Sequence, residues 1–165
     1  MLDMPWATPR NQGRAAAWLP IAATLVAAWE GFAPKPYVDW IGTGHPVTWC
    51  YGRTSADSPE PPMTMVFTKT QCLSALGEDL QKYDDMVHSC IKVPLPPARE
   101  AALVSFVYNL GERPLCSGPV SRGINAGNIQ AGCKAMLRYD HAAGKTLKGL
   151  TRRREAEMKM CLRND

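Results

Sequence analysis

The longest uncharged stretch of the chain runs from Ala15 to Trp29, within the segment RAAAWLPIAATLVAAW. It is apolar almost throughout, which predicts the buried first helix of a fold. The stretch is shorter than the ~20 residues that a membrane-spanning helix needs, and Pro20 interrupts it. Because Arg10 and Arg14 precede it, the segment also has the form of an export signal. A signal-anchor that later leaves the membrane is a third interpretation.

The pattern changes after this helix. Prolines and glycines at positions 34, 36, 42, 44 and 46 exclude a continuing helix. The alternation in PVTWCYG predicts a short hairpin or small sheet. SADSPEPPM, at residues 55–63, has the composition of a loop. The sequence therefore predicts a small, glycine-rich lobe over roughly residues 31–62.

Helical patterns occupy the rest of the chain. Thr68 and Gln71 have the spacing of a capping box, and apolar residues recur at helical spacing from there to about Cys90. AALVSFVYNL is apolar nearly all round, which predicts a central buried helix that ends at Gly111. Two further helices are predicted, from Asn128 to about Tyr139 and from Thr151 to about Leu162, joined by the loop HAAGKTLKG.

These elements predict an α+β fold that is mainly α, with the first helix packed among the later helices. A chain of 165 residues fits one domain with a substantial core. We expect a tail over residues 1–14 and one domain over residues 15–165. A hydrophobic fraction of 45% and a charged fraction of 21% exclude the disordered and fibrous classes.

Charge narrows the choice of partner only a little. The net charge of +4 is mild, and it is spread out except at Arg152, Arg153 and Arg154. A nucleic-acid-binding protein more often has a basic stripe with interleaved aromatic residues, so no nucleic acid is expected. The positive charge suits an anionic polymer such as a bacterial cell surface, and it suits simple solubility equally well.

The six cysteines point to an oxidising compartment. None has a CxxC or cysteine–histidine spacing, and the three histidines are scattered, so no metal site is expected. An even number of widely spaced cysteines favours up to three disulfides, with buried thiols as the alternative. The spacing alone does not determine which cysteines pair.

Two carboxyl groups suggest hydrolytic chemistry. Glu30 follows the apolar run directly, and apolar surroundings disfavour the charged form of a carboxyl group. A protonated carboxyl group is what a general acid requires, whereas Asp39 lies in a polar loop where it stays ionised. Thr48 opens the hairpin and has a hydroxyl group that can hold a water molecule. This combination suggests glycoside hydrolysis. The alternative is a solvated acid at a helix end.

Together these residues carry a resemblance. Glu30, Tyr37, Asp39 and Thr48, followed by the YG pair at 51–52, resemble the E…Y-x-D…T-x-G-x-G signature of bacteriophage lysozymes, glycoside hydrolase family 24. FTKTQCLSALGEDL, REAALVSFVYNLG and AGKTLKGLTRRREAEMKMCL are similar, in the same order, to the lambdoid endolysin branch. The resemblance covers residues 29–162 approximately.

The resemblance implies a two-lobed lysozyme fold with a cleft and an inverting muramidase mechanism. Glu30 would protonate the glycosidic oxygen, while Asp39 and Thr48 would position the attacking water. The implied substrate is peptidoglycan, cut between N-acetylmuramic acid and N-acetylglucosamine for host lysis, without a cofactor or metal. Because GTGHP enlarges the turn after Asp39, Thr43 is a rival for the threonine role. A peptidoglycan-binding or partner-binding domain without activity, and an enzyme acting on chitin, are the alternatives.

The same resemblance assigns four further residues to the substrate site. Arg53 stands where the family often has histidine, and it faces either a sugar or solvent. Asn109 aligns with an amide that lines the cleft, and Arg152 is the arginine expected to reach Glu30 across it. Tyr37 is expected to pack under the acidic loop.

The cysteines and the first helix complete the expectations. Cys50 replaces a glycine common in the family. We expect these disulfide pairs: Cys50–Cys72, Cys90–Cys116 and Cys133–Cys161. The implied location is the host periplasm, reached by export or by transient anchoring in the inner membrane through the apolar segment, and a monomer is expected.

Overall fold

The computed structural model describes residues 12–41 and 43–165, so residues 1–11 of the predicted tail lie outside the described residues. The described helices are α1 (Gln12–Glu30), α2 (Lys69–Cys90), α3 (Pro97–Leu110), α4 (Glu112–Cys116), α5 (Pro119–Asn125), α6 (Ile129–Ala135) and α7 (Lys148–Cys161). A 3₁₀ turn, Met136–Arg138, follows α6. The strands are β1 (Ala33–Val38), β2 (Val47–Cys50), β3 (Arg53–Thr54), β4 (His141–Ala142) and β5 (Lys145–Thr146). The predicted class, α+β and mainly α, is confirmed.

Helix α1 runs through Pro20 without a break, so the expected interruption is wrong. Proline removes one backbone donor, and the remaining hydrogen bonds of a long helix hold the turn together. One face of α1 buries Trp18, Leu19, Ala22 and Val26 in the core. Among the helices that the structure describes, none is both long enough and apolar enough to cross a membrane.

The predicted hairpin is a small antiparallel sheet in the order β1–β2–β3. Thr48 of β2 lies opposite Tyr37 of β1 and Thr54 of β3. Cys50, the last residue of β2, and Gly52, in the tight turn before β3, have positive φ angles of 57° and 80°. Residues directly opposite one another project on the same face, so one face of the sheet carries Tyr37, Thr48 and Thr54.

Helix α3 forms the centre of the helical part, as its uniformly apolar sequence predicts. It is buried from Ala98 to Val107 and packs against α1, α2 and α7. The capping box predicted at the start of α2 is present, with Thr68 and Gln71 bonded reciprocally. The helix before Gly111 ends there with a φ of 78° at that glycine.

The last third of the chain departs from the expectation in detail. The predicted loop HAAGKTLKG contains the hairpin β4–β5, and α7 begins at Lys148 instead of Thr151. The short helices α4 and α5 were not predicted, because five to seven residues carry too little periodicity to reveal a helix.

All three expected cysteine pairs are confirmed. Cys50–Cys72 joins β2 to α2, Cys90–Cys116 joins α2 to α4, and Cys133–Cys161 joins α6 to α7. The first and third bridges are buried, whereas Cys116 is exposed. The first bridge fastens the sheet to the helices, and this helps to fix the wall of the site described next.

Candidate active site

Glu30 is the last residue of α1 and makes an ion pair with α7. The Nη1 atom of Arg153 donates a hydrogen bond of 2.6 Å to Glu30 Oε1. The Glu30 side chain is 22% exposed and that of Arg153 is 5% exposed, so the pair is largely shielded from water. The expected contact between Arg152 and Glu30 is wrong. Arg152 is exposed and its Nε lies 3.5 Å from the carbonyl oxygen of Lys148, because each step along a helix turns the side chain by about 100°.

Gly52 brings the sheet against the same carboxyl group. A Cβ atom at this position would lie 3.0 Å from Glu30 Oε2. The φ angle of 80° also favours glycine, since other residues adopt it at a cost. Glu30 therefore lies between α7, which binds Oε1, and the β2–β3 turn, where the absence of a side chain at Gly52 leaves room for Oε2.

Behind Arg153 lies a buried charge network. The carboxyl group of Glu157, with 0% exposure, accepts hydrogen bonds through Oε1 from Arg153 Nε at 3.1 Å, Arg154 Nη2 at 3.2 Å and Ser105 Oγ at 2.7 Å. Arg154 also donates to Asn109 Oδ1 at 2.8 Å and lies over the ring of Phe106. Burial lowers the pKa of Arg154 and raises the pKa of Glu157, and the attraction between the two side chains opposes both shifts.

Asp39 opens the loop between β1 and β2. Its Oδ1 atom accepts a 3.0 Å hydrogen bond from the backbone N–H of Ile41, and its own N–H donates to the carbonyl oxygen of Pro46 at 2.9 Å. The second bond closes the loop at its base. The carboxyl group is therefore placed by the local turn, as Asp commonly is at the start of a loop.

Thr48 and Thr43 differ sharply in environment. Thr48 is 6% exposed, and no partner for its Oγ1 is found among the described residues. Its side chain shares a sheet face with Thr54, which lines the cleft. Thr43 is exposed in the turn. A buried hydroxyl group without a protein partner is suited to binding a water molecule, so the geometry favours Thr48.

The cleft itself contains a cavity of about 210 Å³ between the β2–β3 region, α2 and α3. Arg53 and Tyr108 form part of its lining. Arg53 Nη2 donates to Asp79 Oδ1 at 2.9 Å and contacts Glu78, so its side chain joins the sheet to α2. Tyr108 donates a 2.6 Å hydrogen bond to the carbonyl oxygen of Tyr51. Burial raises the pKa of Tyr108, which keeps this donor protonated.

Three predicted substrate-site residues have unexpected surroundings. Tyr37 is 47% exposed, so the expectation that it packs under the acidic loop is wrong. The oxygen of Asn109 is engaged by Arg154, which makes this amide part of the buried network. Arg53 was expected to face a sugar or solvent, and it instead pairs with acids of α2 while still lining the cavity.

A carboxyl group beside the cleft-lining Gly52, a loop aspartate and a buried threonine hydroxyl are the kinds of group that glycosidases use. Comparison with known proteins agrees. Residues 27–157 match the family model of phage lysozyme. The chain is 38% identical over 133 residues to the SAR-endolysin of Bacteriophage PS119, which covers 81% of this chain and 76% of that protein.

Other relatives and solved structures agree. The SAR-endolysin of Enterobacteria phage P21 is 35% identical over 133 residues, covering 81% of this chain and 77% of that protein. The endolysin of Escherichia coli O157:H7 phage FAHEc1 superposes with a TM-score of 0.76 at 29% identity, covering 86% of this chain and 90% of that one. A mutant of P22 lysozyme superposes with a TM-score of 0.75 at 30% identity, covering 87% of this chain and 96% of that one. The chain belongs to the phage lysozyme family and is a glycoside hydrolase.

Sequence reasoning missed three residues of the site. Arg153 was considered only as one of three adjacent arginines, and Gly52 only as part of a motif. Glu157 was not considered, although its spacing of four and three residues from Arg153 and Arg154 places all three side chains near one another on a helix. That spacing is the signal that identifies the network.

Proposed function

We propose that this endolysin hydrolyses the β-1,4 bond between N-acetylmuramic acid and N-acetylglucosamine in peptidoglycan, with Glu30 as the general acid. The observation that carries this assignment is the pair of contacts around Glu30: Arg153 binds one carboxyl oxygen, and the other lies beside Gly52, which lines the cleft cavity. Arg153 occupies Oε1, so Oε2 is the oxygen from which a proton would pass to the glycosidic oxygen.

We assign Asp39 and Thr48 to the attacking water. The Thr48 hydroxyl group is buried, and none of the described residues makes a hydrogen bond to it. It is therefore suited to bind a water molecule. Asp39 supplies the carboxylate that accepts the proton of that water as it attacks. Attack by water on the face opposite the leaving group inverts the configuration at the anomeric carbon.

Four further residues are proposed to contact the polysaccharide. Arg53 lines the cavity, and the exposed ring of Tyr37 lies on the same sheet face as Thr48. Asn109 would contact the polysaccharide while its Oδ1 atom accepts the hydrogen bond from Arg154. Arg152 would contribute a positive charge on the surface of α7. Their replacement should raise KM more than it lowers kcat.

A turbidity assay on bacteria with permeabilised outer membranes tests the assignment of Glu30. Wild type should clear the suspension, and Glu30→Gln should not, because the amide cannot donate the proton. Glu155→Gln, an exposed change on α7, serves as the matched control. Equal clearing by wild type and Glu30→Gln would overturn the general-acid role.

The products decide between the remaining functions. Mass spectrometry should find fragments with N-acetylmuramic acid at the reducing end, whereas a chitinase-like activity would give N-acetylglucosamine there. NMR of the first product formed should show inverted anomeric configuration. Binding of peptidoglycan without any cleavage would instead support a non-catalytic binding domain.

We also propose that the enzyme acts as a monomer in the host periplasm and that the apolar segment of α1 associates transiently with the inner membrane before it joins the fold, although α1 is not long and apolar enough to cross a membrane. The segment from Ala15 to Trp29 carries no charge, and its surface in the folded protein includes Ile21, Leu25 and Ala28. Folded α1 supplies both core residues and Glu30, so a chain with α1 in a membrane would lack a complete site. Two relatives similar over most of the chain are named SAR-endolysins.

Membrane partitioning of the full chain in bacteria tests the anchor. A membrane-bound pool that becomes periplasmic and active when the membrane potential is collapsed is the expected result. Replacing Leu25 with Asp should abolish the membrane-bound pool. A chain that is never found in the membrane fraction would exclude the anchor, and size-exclusion chromatography of the released protein tests the monomer.

A further inference from the structure

The carboxyl group of Glu157 is fully buried, and it is one of the groups that hold Arg153. Three nitrogen atoms of Arg153 have three different partners: Nε donates to Glu157, Nη1 to Glu30 and Nη2 to the carbonyl oxygen of Ser105 at 3.3 Å. A planar guanidinium group fixed at all three nitrogens has one orientation. Glu157 fixes the Nε end of that group.

The charges in this region balance. Arg153 and Arg154 are buried cations, and Glu157 and Glu30 are the carboxyl groups that contact them. Three donors converge on Glu157 Oε1, an arrangement that stabilises an ionised carboxylate against its burial. Other ionisable groups whose fields reach Glu30 are Tyr108 of α3 and Tyr83 of α2. Without the Glu157 charge, both guanidinium groups would act on Glu30 alone.

The orientation matters for the chemistry of Glu30. Arg153 contacts Oε1 through a single nitrogen, and Oε2 lies beside Gly52, which lines the cleft cavity. An arginine that was released at its Nε could turn to bind both carboxyl oxygens, as arginine and carboxylate prefer to do. Such a pair would occupy the oxygen needed for proton donation and would stabilise the charged form of the carboxyl group.

We propose that Glu157 is a positioning residue for the glycosidase reaction: it holds Arg153 so that the guanidinium group engages one oxygen of Glu30 and leaves the other, beside Gly52, for proton donation. This inference rests on the proposed role of Glu30 as the general acid. Glu157 acts through Arg153 and has no contact with substrate. Its effect is therefore on the chemical step and not on polysaccharide binding.

The test compares Glu157→Gln with Glu155→Gln, its exposed neighbour on α7, on soluble peptidoglycan fragments. For Glu157→Gln we expect kcat to fall about tenfold or more with KM nearly unchanged, since the substitution removes an interaction coupled to the reacting group. The alkaline limb of the pH–kcat profile should move to lower pH, because the uncompensated cations disfavour the protonated carboxyl group of Glu30. Glu155→Gln should match wild type in both.

A second measurement separates positioning from folding. Glu157→Gln removes one partner of buried cations and will lower the melting temperature, so kcat is measured per folded molecule at a temperature below the transition. Ser105→Ala removes one hydrogen bond to the same Glu157 oxygen without changing the charge. Ser105→Ala should lower kcat by a smaller factor than Glu157→Gln. If Glu157→Gln does not fold, the kcat of Ser105→Ala tests the positioning role in its place. Glu157→Asp, which keeps the charge, should restore part of kcat.

The outcomes are distinct. If wild type does not cleave peptidoglycan, the proposed function fails. If wild type cleaves it and Glu157→Gln retains kcat and the pH profile while losing only thermal stability, Glu157 is structural and the inference is wrong. In an Arg153→Gln background, Glu157→Gln should cause little further loss of kcat, and an additive loss would also contradict positioning through Arg153.

Discussion

Two charge networks lie near the cleft, one almost fully buried and one partly exposed. On the α7 side, Glu157 has 0% and Arg153 5% side-chain exposure, and their partners include Glu30. On the α2 side, Arg53 pairs with Asp79 and Glu78, whose side chains are 11% and 55% exposed. Both networks contain an arginine between two acids, so their composition is similar and their solvation differs.

That difference determines what each network does. Charges in a medium of low dielectric constant interact strongly and tolerate no missing partner, whereas charges near water are screened and replaceable. The buried network is therefore suited to hold Glu30 in one geometry. The partly exposed network joins the sheet to α2, and its arginine, Arg53, also lines the cavity.

The largest effect should come from Arg153→Met. This change leaves the buried Glu157 carboxyl group without one cation and removes the partner of Glu30, so we expect a loss of about 3–5 kcal/mol in the free energy of unfolding. Activity should fall by roughly 100-fold or more, as when one preorganised donor is removed from an active site. Urea unfolding and the turbidity assay measure the two effects. Lys159→Met, at an exposed cation of α7, should change neither, and an equal loss there would contradict the comparison.

The next effect concerns the opposite side of Glu30. Gly52→Ala places a methyl group 3.0 Å from Glu30 Oε2 at a φ of 80°, so it should both displace the carboxyl group and strain the turn by about 1–2 kcal/mol. Gly144→Ala is the matched control, since its φ is 74° and no atom lies within 4 Å of its Cβ position. Both variants should lose similar stability, and only Gly52→Ala should lose activity. Equal activity in the two variants would show that Gly52 does not determine the position of Glu30.

Tyr108 lies between the two networks and gives an effect that depends on pH. Burial is the largest cause that raises its pKa above 10.0, followed by the fields of Glu30 and Asp79. Because the folded protein holds the phenol proton more tightly than the unfolded chain, this contribution to stability is complete below pH 10.0 and is lost as the pH rises above it. Tyr108→Phe removes the hydrogen bond to Tyr51 and should cost about 1 kcal/mol at neutral pH.

The decline of stability above pH 10.0 should therefore be shallower in Tyr108→Phe than in wild type, measured by urea unfolding at several pH values. Tyr83→Phe is a useful control, since its ring lies 4.9 Å from that of Tyr108 and burial also raises its pKa, though it is less buried. An identical alkaline decline in Tyr108→Phe and wild type would show that this phenol does not contribute.

The smallest effect on stability is expected in the partly exposed network of Arg53, Asp79 and Glu78. Arg53→Gln should cost about 1 kcal/mol or less, and this cost should shrink when salt is raised from low to high concentration. Thermal unfolding at the two salt concentrations measures it, with Lys82→Gln as a more exposed member of the same network. A cost as large as that of Arg153→Met, or one that is insensitive to salt, would show that the two networks do not differ in the way their exposure indicates.

The sequence predicts a site residue well when its partners are close to it along the chain, and poorly when they are distant. The capping box of α2 and the turn after Asp39 depend on neighbours within a few residues, and pattern reasoning places them well. Glu30 and Arg153 are separated by 123 positions. No local pattern says which of three adjacent arginines faces the core, because that depends on the rotation of α7 against α3 and α1. For this reason the expected partner of Glu30, Arg152, is one residue away from the observed partner, Arg153.

The amino-acid sequence by itself determined the elements whose stabilisation is local: the uncharged first helix, the glycine-rich strand region with Thr48, the buried central helix and the family to which the chain belongs. Tertiary structure alone decided which arginine meets Glu30, and that Thr48 is buried while Thr43 is exposed. The physical reason is that burial and pairing of polar groups depend on how distant segments pack. A sequence pattern records the preferences of each segment, and only packing decides which polar groups lose water and which partners replace it.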